Sequence, residues 1–517
     1  MELIKRWCVA VALLCAAGFV GGVAVRANVT LPRIFGNDMV LQREMTVPVW
    51  GWADPGEKVA VRVDDKEAAS AVADEKGQWM VKLPAMSAGG PHKLTIVGKN
   101  TIELANVLAG EVWICSGQSN MEMGIAACKD AQKEIADANY PQIRLFLVDK
   151  KTSGYPLNDV GGNWRVCNPA NIAAGGWGGF SAAAYYFGRE IHKGLNVPVG
   201  LIDTSWGGTR IEPWTPTEGF AAVPALQGIV TAIEKANSEY PKTCAQTLDQ
   251  LEAAIPPARK ALAEGKPMPP LPTVPRHPLD HEQQPTGLYN AMVRGFVPFA
   301  SRGAIWYQGE SNLGEGMLYF EKMKALISGW RKVWGQPDMA LYFVQLAPFR
   351  YGGDPYRLPG IWEAQTAVLT LPNTGMAVTT DISTINDIHP PNKQDVGKRL
   401  ALGALAKTYG KKEIVYSGPM YKSMKADGST IRLSFDHVGG GLASRDGKDL
   451  TWFEIAAADK AFVKAQAKIE GETVVVSSEK VAQPTAVRFG WNELAEPNFM
   501  NKEGLPASPF RTEGARP

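Results

Sequence analysis

The sequence predicts an α/β protein, in which a parallel sheet with helices on both faces is flanked by an N-terminal and a C-terminal β-domain. Two patterns indicate this class. Over about 300 residues after Leu108, short apolar runs alternate with helical stretches, which is typical of a parallel sheet covered by helices. Before and after that region, short runs of alternating apolar and polar residues are broken by turn residues, which favours antiparallel strands.

The 517 residues divide into segments by the same patterns. Residues 28–107 are predicted to form an N-terminal β-sandwich, residues 108–410 the α/β domain, and residues 411–517 a C-terminal β-domain. Residues 220–284 interrupt the α/β domain with a helical stretch followed by a Pro-rich one. We expect this insertion to form a helical hairpin or lid with a stiff return.

Residues 1–27 are predicted to be a secretory signal. Lys5 and Arg6 precede an uncharged run from Trp7 to Val25, and small residues follow at the cleavage positions. The run is long enough to span a bilayer, but its glycines weaken it as a permanent helix. We therefore expect a cleaved signal, a secreted or periplasmic protein, and no stable membrane insertion after cleavage.

Charge and cysteine content exclude several classes of protein. The 54 Lys and Arg residues nearly balance 52 Asp and Glu residues, without a basic stripe, so a nucleic-acid partner is not expected.

Four cysteines lie beyond the signal, namely Cys115, Cys128, Cys167 and Cys244, and they form no CxxC pair. A Cys128–Cys167 disulfide is the favoured pairing, and Cys115 is expected to be a buried thiol. No metal-ligand cluster and no cofactor motif is visible.

Ser119 is the candidate nucleophile. An apolar strand at Glu111–Cys115 leads through Gly117 to this serine, after which the sequence is compatible with a helix. Such a serine is exposed at the carboxyl edge of a parallel sheet, where ligands bind in open α/β folds. The motif is not the GxSxG elbow, because Met121 occupies the second glycine position. A plain helix N-cap is the alternative interpretation.

His389 is the best candidate base among six histidines. Asp387 precedes it by two residues, so on extended backbone both side chains face the same side and the acid can orient the imidazole. Two prolines follow, and they are expected to hold the turn before a helix that starts at Lys393. A loop histidine bound to a carboxylate for structural reasons alone is the alternative.

Two further strand ends carry Gly-rich polar turns, at Thr204–Arg210 and at Trp306–Asn312. The glycines Gly207 and Gly208 let backbone N–H groups approach a substrate oxygen, and Gln308 adds a side-chain donor. Donors of this kind form the oxyanion hole of an acyl hydrolase. Together with the serine and histidine segments, four strand ends in one domain offer polar groups.

Four motifs in this order resemble those of the sialate O-acetylesterase family of SGNH-type esterases: Gly117–Met121, Trp206–Thr209, Trp306–Asn312 and Asp387–Pro390. The likeness extends to Leu31–Arg43 and to Gly504–Thr512, so it covers almost the whole mature chain.

This resemblance implies an SGNH-hydrolase-like fold and a serine esterase that needs no metal or cofactor. It implies Ser119 as nucleophile and His389 as base. It also implies oxyanion donors from the Ser119 backbone, from the Gly207–Gly208 turn and from Gln308, which stands where the SGNH name has an asparagine.

The acid that supports the base is left open by the resemblance. Asp387 is preferred, although it lies two residues before His389 rather than the three common in SGNH esterases. Glu310 is the rival, and both Glu310 and Asn312 are placed among the residues near the oxyanion and substrate.

The expected activity is removal of O-acetyl groups from carbohydrate, with sialic acid as the first choice of substrate. Arg210 follows the predicted oxyanion turn, and its guanidinium could bind the sialic acid carboxylate in a bidentate pair. Pairing of Arg210 with Glu212 is the structural alternative. Acetylxylan or another acetylated polysaccharide is the alternative substrate, and a non-catalytic carbohydrate-binding protein is the rival class.

Overall fold

The computed structural model describes residues 28–513, so the predicted signal at residues 1–27 lies outside the described residues. The N-terminal part consists of short strands: β1 (Val40–Gln42), β2 (Val47–Trp52), β3 (Lys58–Val63), β4 (Lys66–Val72), β5 (Gln78–Leu83), β6 (Gly89–Val97) and β7 (Thr101–Gly117). Strand β3 pairs in antiparallel fashion with β4 and β6, and β2 pairs with β5. Buried residues alternate with half-buried ones along β2, as predicted for a sheet with one covered face.

Strand β7 continues from this β-unit into the central sheet. Its first half pairs with β6 in antiparallel fashion, and every residue from Val107 to Gly117 is buried. The predicted domain border after residue 107 therefore falls inside one continuous strand, and the N-terminal strands share a single apolar core with the sheet.

The predicted parallel sheet is confirmed. Its other strands are β8 (Tyr140–Leu147), β9 (Trp164–Cys167), β10 (Val199–Ser205), β11 (Gly303–Tyr307), β12 (Ala340–Val344) and β13 (Thr374–Ala377). The strand order is β13-β12-β11-β7-β10-β8-β9, and all neighbours are parallel except the edge strand β9. Because β7 is central, its carboxyl end lies between those of β10 and β11.

The helices connect these strands and cover both faces of the sheet. They are α1 (Ser119–Glu122), α2 (Ala131–Ala136), α3 (Pro169–Ile172), α4 (Ala182–Leu195), α5 (Thr217–Ala221), α6 (Gln227–Ala263), α7 (Leu318–Trp334), α8 (Arg357–Ala367) and α9 (Lys393–Lys407). Trp113 of β7 contacts Phe187 of α4 on one face. Trp306 of β11 is paired with Ser116, which lies three residues after Trp113 in β7. Because side chains alternate along a strand, Trp306 faces the side of the sheet opposite to Trp113, where it contacts Trp330 of α7.

The insertion is one long helix followed by a Pro-rich, non-helical return, so the predicted helical and Pro-rich segments are present but the second helix of a hairpin is not. Helix α6 has 37 residues, of which only Ile233 and Ala258 are buried. Six prolines between residues 267 and 278 prevent a second helix, because proline lacks the N–H that a helix interior requires. None of the helices in residues 28–513 is long and apolar enough to cross a membrane.

The C-terminal part is made of strands, as predicted: β14 (Met420–Asp427), β15 (Thr430–Asp436), β16 (Leu442–Ser444), β17 (Phe453–Ala456), β18 (Val463–Lys464), β19 (Gln466–Glu470), β20 (Thr473–Ser477), β21 (Ala486–Phe489), β22 (Phe499–Asn501) and β23 (Phe510–Arg511). They form antiparallel sheets in the orders β14-β15-β20-β19 and β18-β17-β21-β23, with a separate β16-β22 pair. Their core is distinct from that of the central sheet and contains contacting aromatic rings such as Phe435, Phe489 and Phe499.

The predicted Cys128–Cys167 disulfide is wrong. All four cysteines among the described residues are free thiols. Cys128 Sγ lies 3.5 Å from the carbonyl of Gly124, whereas Cys167 Sγ, on the edge strand β9, lies 3.7 Å from the carbonyl of Ala138. Cys115 is fully buried in β7, as expected.

Candidate active site

A sharp turn at the end of β7 positions Ser119. Gly117 has a φ of +146°, and a Cβ atom there would lie 2.1 Å from the carbonyl oxygen of Tyr307, so the turn requires glycine. The side-chain oxygen of Gln118 accepts hydrogen bonds from the backbone N–H groups of Gly309 and Ser311, at 3.4 and 3.2 Å. The turn after β7 is thereby fixed to the turn after β11, and Ser119 becomes the first residue of α1.

His389 meets this serine from the other end of the domain. It lies in the loop before α9, and its Nε2 atom is 2.9 Å from Ser119 Oγ, across 270 positions of sequence. A nucleophile and a base within hydrogen-bond distance can transfer a proton directly. The structure brings together the two residues on which the predicted chemistry depends.

Asp387 lies beside the base but does not bind its ring. The distance from Asp387 Oδ1 to His389 Nδ1 is 3.7 Å, which is too long for a hydrogen bond. The same oxygen accepts the backbone N–H of His389 at 2.9 Å, and the side chain is 59% exposed. Asp387 therefore shapes the loop, and its effect on the imidazole is electrostatic.

Glu310, the rival acid, lies beneath the site. Its Oε1 atom accepts a hydrogen bond from Asn120 Nδ2 at 2.6 Å, and burial raises the pKa of its carboxyl group. Among the described residues, no hydrogen bond or ion pair joins Glu310 to His389. Neither candidate acid binds the imidazole directly in this structure.

The Gly207–Gly208 turn lies against the nucleophile. A Cβ atom on Gly207 would be 3.2 Å from that of Ser119, while Gly208 faces open space. The Gly207 N–H donates to Glu122 Oε2 at 2.5 Å, and the other oxygen of Glu122 binds Lys150 Nζ, also at 2.5 Å. Glu122 thus already occupies one predicted oxyanion donor. The N–H of Ser119, the first residue of a helix, has no acceptor within that helix.

Gln308 does not present its amide to the site. The residue is fully buried, and its Nε2 atom donates to Gln118 Oε1, to the Thr209 carbonyl and to Asn312 Oδ1, at 3.1, 3.2 and 2.8 Å. Both amide hydrogens are therefore used to join three strand-end turns. The predicted oxyanion role of Gln308 finds no support in this geometry, because a buried amide with three acceptors has no donor left for substrate.

Arg210 and Asn312 belong to a charged network beside the site. The Arg210 guanidinium pairs with Glu212 at 3.2 Å and with Glu315. The buried Lys322 ammonium binds the same two carboxylates, at 2.7 and 2.6 Å. Asn312 is 1% exposed and donates to Glu212 at 3.0 Å. The structure thus shows the Arg210–Glu212 pairing considered as the alternative to carboxylate recognition, and it places Asn312 in the core.

Trp177 is a site residue that the sequence analysis missed. Its ring is 43% exposed and lies 4.7 Å from the His389 ring, at an interplanar angle of 76°. The residue has a φ of +42°, which is rare for a bulky side chain, and Gly178 and Gly179 beside it also have positive φ. The signal in the sequence was a single tryptophan between two glycine pairs, which is typical of a shaped loop rather than of a core.

The fold and the site define a serine hydrolase. A serine and a histidine are hydrogen-bonded at the carboxyl edge of a parallel sheet, beside a glycine turn and an exposed aromatic ring. Within residues 28–513, no group of three or more His, Cys, Asp or Glu side chains is arranged to hold a metal ion.

The chain belongs to the sialic acid-specific acetylesterase family of carbohydrate esterases, whose model matches residues 109–245 and 278–406. It is 33% identical to the sialate O-acetylesterase of Mus musculus over 436 residues, which is 77% of each chain. The Homo sapiens sialate O-acetylesterase is 31% identical over 420 residues, covering 74% of this chain and 72% of the relative. A crystal structure of a carbohydrate acetylesterase from Xanthomonas citri is 37% identical, with a TM-score of 0.79, and covers 94% of this chain and 100% of that chain. The family suggested by the sequence motifs is confirmed, whereas the individual residue roles stay predictions.

Replacing either member of the Ser–His pair should nearly abolish activity. We expect Ser119→Ala and His389→Ala each to lower kcat/KM for an aryl acetate by at least about 10⁴-fold, because the two residues act as a unit. Circular dichroism should show an intact fold in both variants. Ser116→Ala is the matched control, since Ser116 is a fully buried serine in β7, three residues before Ser119. An inactive Ser116→Ala with an active Ser119→Ala would refute the assignment.

Replacing Asp387 by Asn should have a smaller effect. The acid does not bind the imidazole, and Asn retains an oxygen for the His389 backbone N–H. We expect kcat to fall by about tenfold, well short of the roughly 10⁴-fold loss seen when a directly bound triad aspartate is replaced. Steady-state kinetics on an aryl acetate measure the difference. A 10⁴-fold loss would show that Asp387 moves into hydrogen-bond contact during turnover.

Activity should persist into mildly acidic solution. Burial lowers the pKa of His389, the Lys393 ammonium lowers it further, and Asp387 partly opposes both. Activity is lost as pH falls through this lowered pKa, because a protonated imidazole cannot accept the serine proton. We therefore expect the acidic midpoint of kcat/KM below the ordinary histidine value of about 6.5. A midpoint above about 7 in a pH profile would contradict this order of effects.

Proposed function

We propose that this protein hydrolyses O-acetyl esters of sialic acid. The observation that carries the proposal is the 2.9 Å contact between Ser119 Oγ and His389 Nε2, in a chain of the sialic acid-specific acetylesterase family. The named relatives of mouse and human are sialate O-acetylesterases. An acetylated sialic acid is therefore the first substrate to test.

The geometry suits acyl transfer through a covalent intermediate. His389 accepts the Ser119 proton while Ser119 Oγ attacks the acetyl carbonyl, and the backbone N–H of Ser119, which has no acceptor within α1, is the proposed donor to the oxyanion. The protonated imidazole then gives its proton to the sugar oxygen, which leaves as a hydroxyl. Water, activated by the same imidazole, attacks the acetyl-serine ester and releases acetate.

The surroundings of the pair are compatible with a sugar ester. The exposed Trp177 ring forms one wall beside His389, and an aromatic face of this kind provides a large apolar contact surface for a ring-shaped substrate. The Arg210 guanidinium is paired with two carboxylates of the protein, so it gives no reason to prefer sialic acid over a neutral sugar as substrate. That choice rests on the family relation.

Export from the cytoplasm is part of the proposal and rests on residues 1–27 alone, through the charged start and the uncharged run that follows. Acetylated glycans outside the cytoplasm are the substrates that such a location would provide.

Acetate release from two substrates tests the proposed specificity. One preparation should be compared on O-acetylated sialoglycoconjugate and on acetylxylan, with Ser119→Ala as the blank for spontaneous hydrolysis. We expect kcat/KM to be at least about tenfold higher on the sialic acid ester, a difference of about 1.4 kcal/mol in transition-state stabilisation. Equal or higher activity on acetylxylan would contradict the sialic acid assignment and leave the esterase chemistry intact.

A further inference from the structure

The catalytic histidine lacks an acid at hydrogen-bond distance, yet the backbone of both neighbouring residues is held. The two acceptors are the carbonyl of the preceding residue, Ile388, and the carbonyl of the following residue, Pro390. Each accepts a hydrogen bond from a buried side chain, at 2.9 Å in both cases. The position of the imidazole is thus set through its own backbone.

Asn120 binds the first of these carbonyls. Its Nδ2 atom donates to the Ile388 carbonyl at 2.9 Å and to Glu310 Oε1 at 2.6 Å, and the residue is 2% exposed. Asn120 also directly follows Ser119 in α1. One residue therefore connects the segment that carries the nucleophile to the segment that carries the base.

Lys393 binds the second carbonyl. Its Nζ atom donates to the Pro390 carbonyl at 2.9 Å and to Asn120 Oδ1 at 2.6 Å, and the side chain is fully buried, with the ammonium 5.3 Å from the centre of the Tyr307 ring. An ammonium can only donate, so it fixes which end of the Asn120 amide faces it. Burying a charged group costs free energy unless its hydrogen bonds compensate for the lost water. A buried lysine without a role at this position would therefore destabilise the protein.

We propose that Asn120 and Lys393 are positioning residues, which hold His389 at its proton-transfer distance from Ser119 by binding the carbonyls of the residues before and after the histidine. Glu310 completes the set by accepting the second hydrogen of the Asn120 amide. This inference rests on the proposed esterase function, because it concerns the same Ser–His pair. It assigns to buried neighbours the orienting role that was predicted for Asp387 or Glu310 acting on the imidazole.

A residue with a merely structural role would affect activity whether or not His389 is present. If Asn120 acts through His389, its removal should matter only while His389 is present. A displacement of about 1 Å between reacting groups can lower the rate about 10²-fold. We expect Asn120→Ala to lower kcat for an aryl acetate by about that factor with little change in KM, and to cost less than about threefold in a His389→Ala background.

Four enzymes test this coupling: the unsubstituted protein, each single variant and the double variant. An equal fold-loss in both backgrounds, or no loss in the unsubstituted background, would overturn the proposal. An aryl acetate contains no sugar, so a failure of the sialic acid assignment leaves this test unaffected. Asn501→Ala is the matched control, because Asn501 is a fully buried asparagine that donates to the Ser417 carbonyl in the C-terminal part, at 3.0 Å.

Two further variants keep the proposal testable if Asn120→Ala does not fold. Asn120→Asp preserves the side-chain shape but lacks the amide donors, so it should show the same loss of kcat. Lys393→Met removes the ammonium that lowers the pKa of His389, so the acidic midpoint of kcat/KM should shift to higher pH. The charged group Asp387, which opposes that effect, is unchanged in this variant. Full kcat in Asn120→Asp, or in Lys393→Met, which also removes the donor to the Pro390 carbonyl, would overturn the proposed positioning.

Discussion

The structure depends on strand β7, which belongs to the N-terminal β-unit and to the central sheet at once. Eleven consecutive residues at its end, from Val107 to Gly117, are buried. The fully buried Glu111 within this stretch binds Arg43 at 2.6 Å, Arg302 at 2.8 Å and Gln42 at 3.0 Å. A buried carboxylate is tolerated only with such partners, so these contacts tie two distant parts of the chain, at residues 42–43 and at Arg302, to one strand. The position of Ser119 follows from this arrangement.

The base is held by a different kind of interaction. Asp387 is exposed and lies 3.7 Å from the imidazole, and even a full ion pair with an exposed carboxylate is worth only about 0–1 kcal/mol. Hydrogen bonds that involve charged groups contribute about 1.5–3 kcal/mol each, and the Lys393 ammonium makes two of them in a buried setting. The hydrogen bonds of Lys393 beneath the histidine therefore contribute more to holding it than the contact with Asp387 does. Helix α9, which begins at Lys393, carries this support into the packed core of the sheet.

Local patterns were sufficient to predict much of the fold and the reacting pair. Strands such as β2 and β11 were predicted because alternation or continuous apolar character is visible within a few residues. Ser119 and His389 were predicted because each lies in a short motif after a strand or before a helix. The continuity of β7 across the expected border was not predicted, since its two sets of partners are distant in sequence and local alternation does not reveal them.

The sequence could not show which way a polar side chain points at a strand end. Gln308 and Asn312 lie in the motif that suggested donors, yet both face the core, because neighbouring turns supply the acceptors there. The hydrogen bond from the Gly207 N–H to Glu122 could not be predicted either, because the two residues are 85 positions apart in sequence. The Cys128–Cys167 pairing was a choice among three from spacing alone, and spacing carries no distance information.

Covalent labelling can show whether Ser119 is the nucleophile and whether His389 activates it. The protein should be treated with a fluorophosphonate, which reacts with activated serines, and the modified peptide identified by mass spectrometry. We expect a single adduct on Ser119, and its formation should be strongly slowed in His389→Ala. An adduct on another residue, or labelling of Ser119 at an unchanged rate without His389, would contradict it.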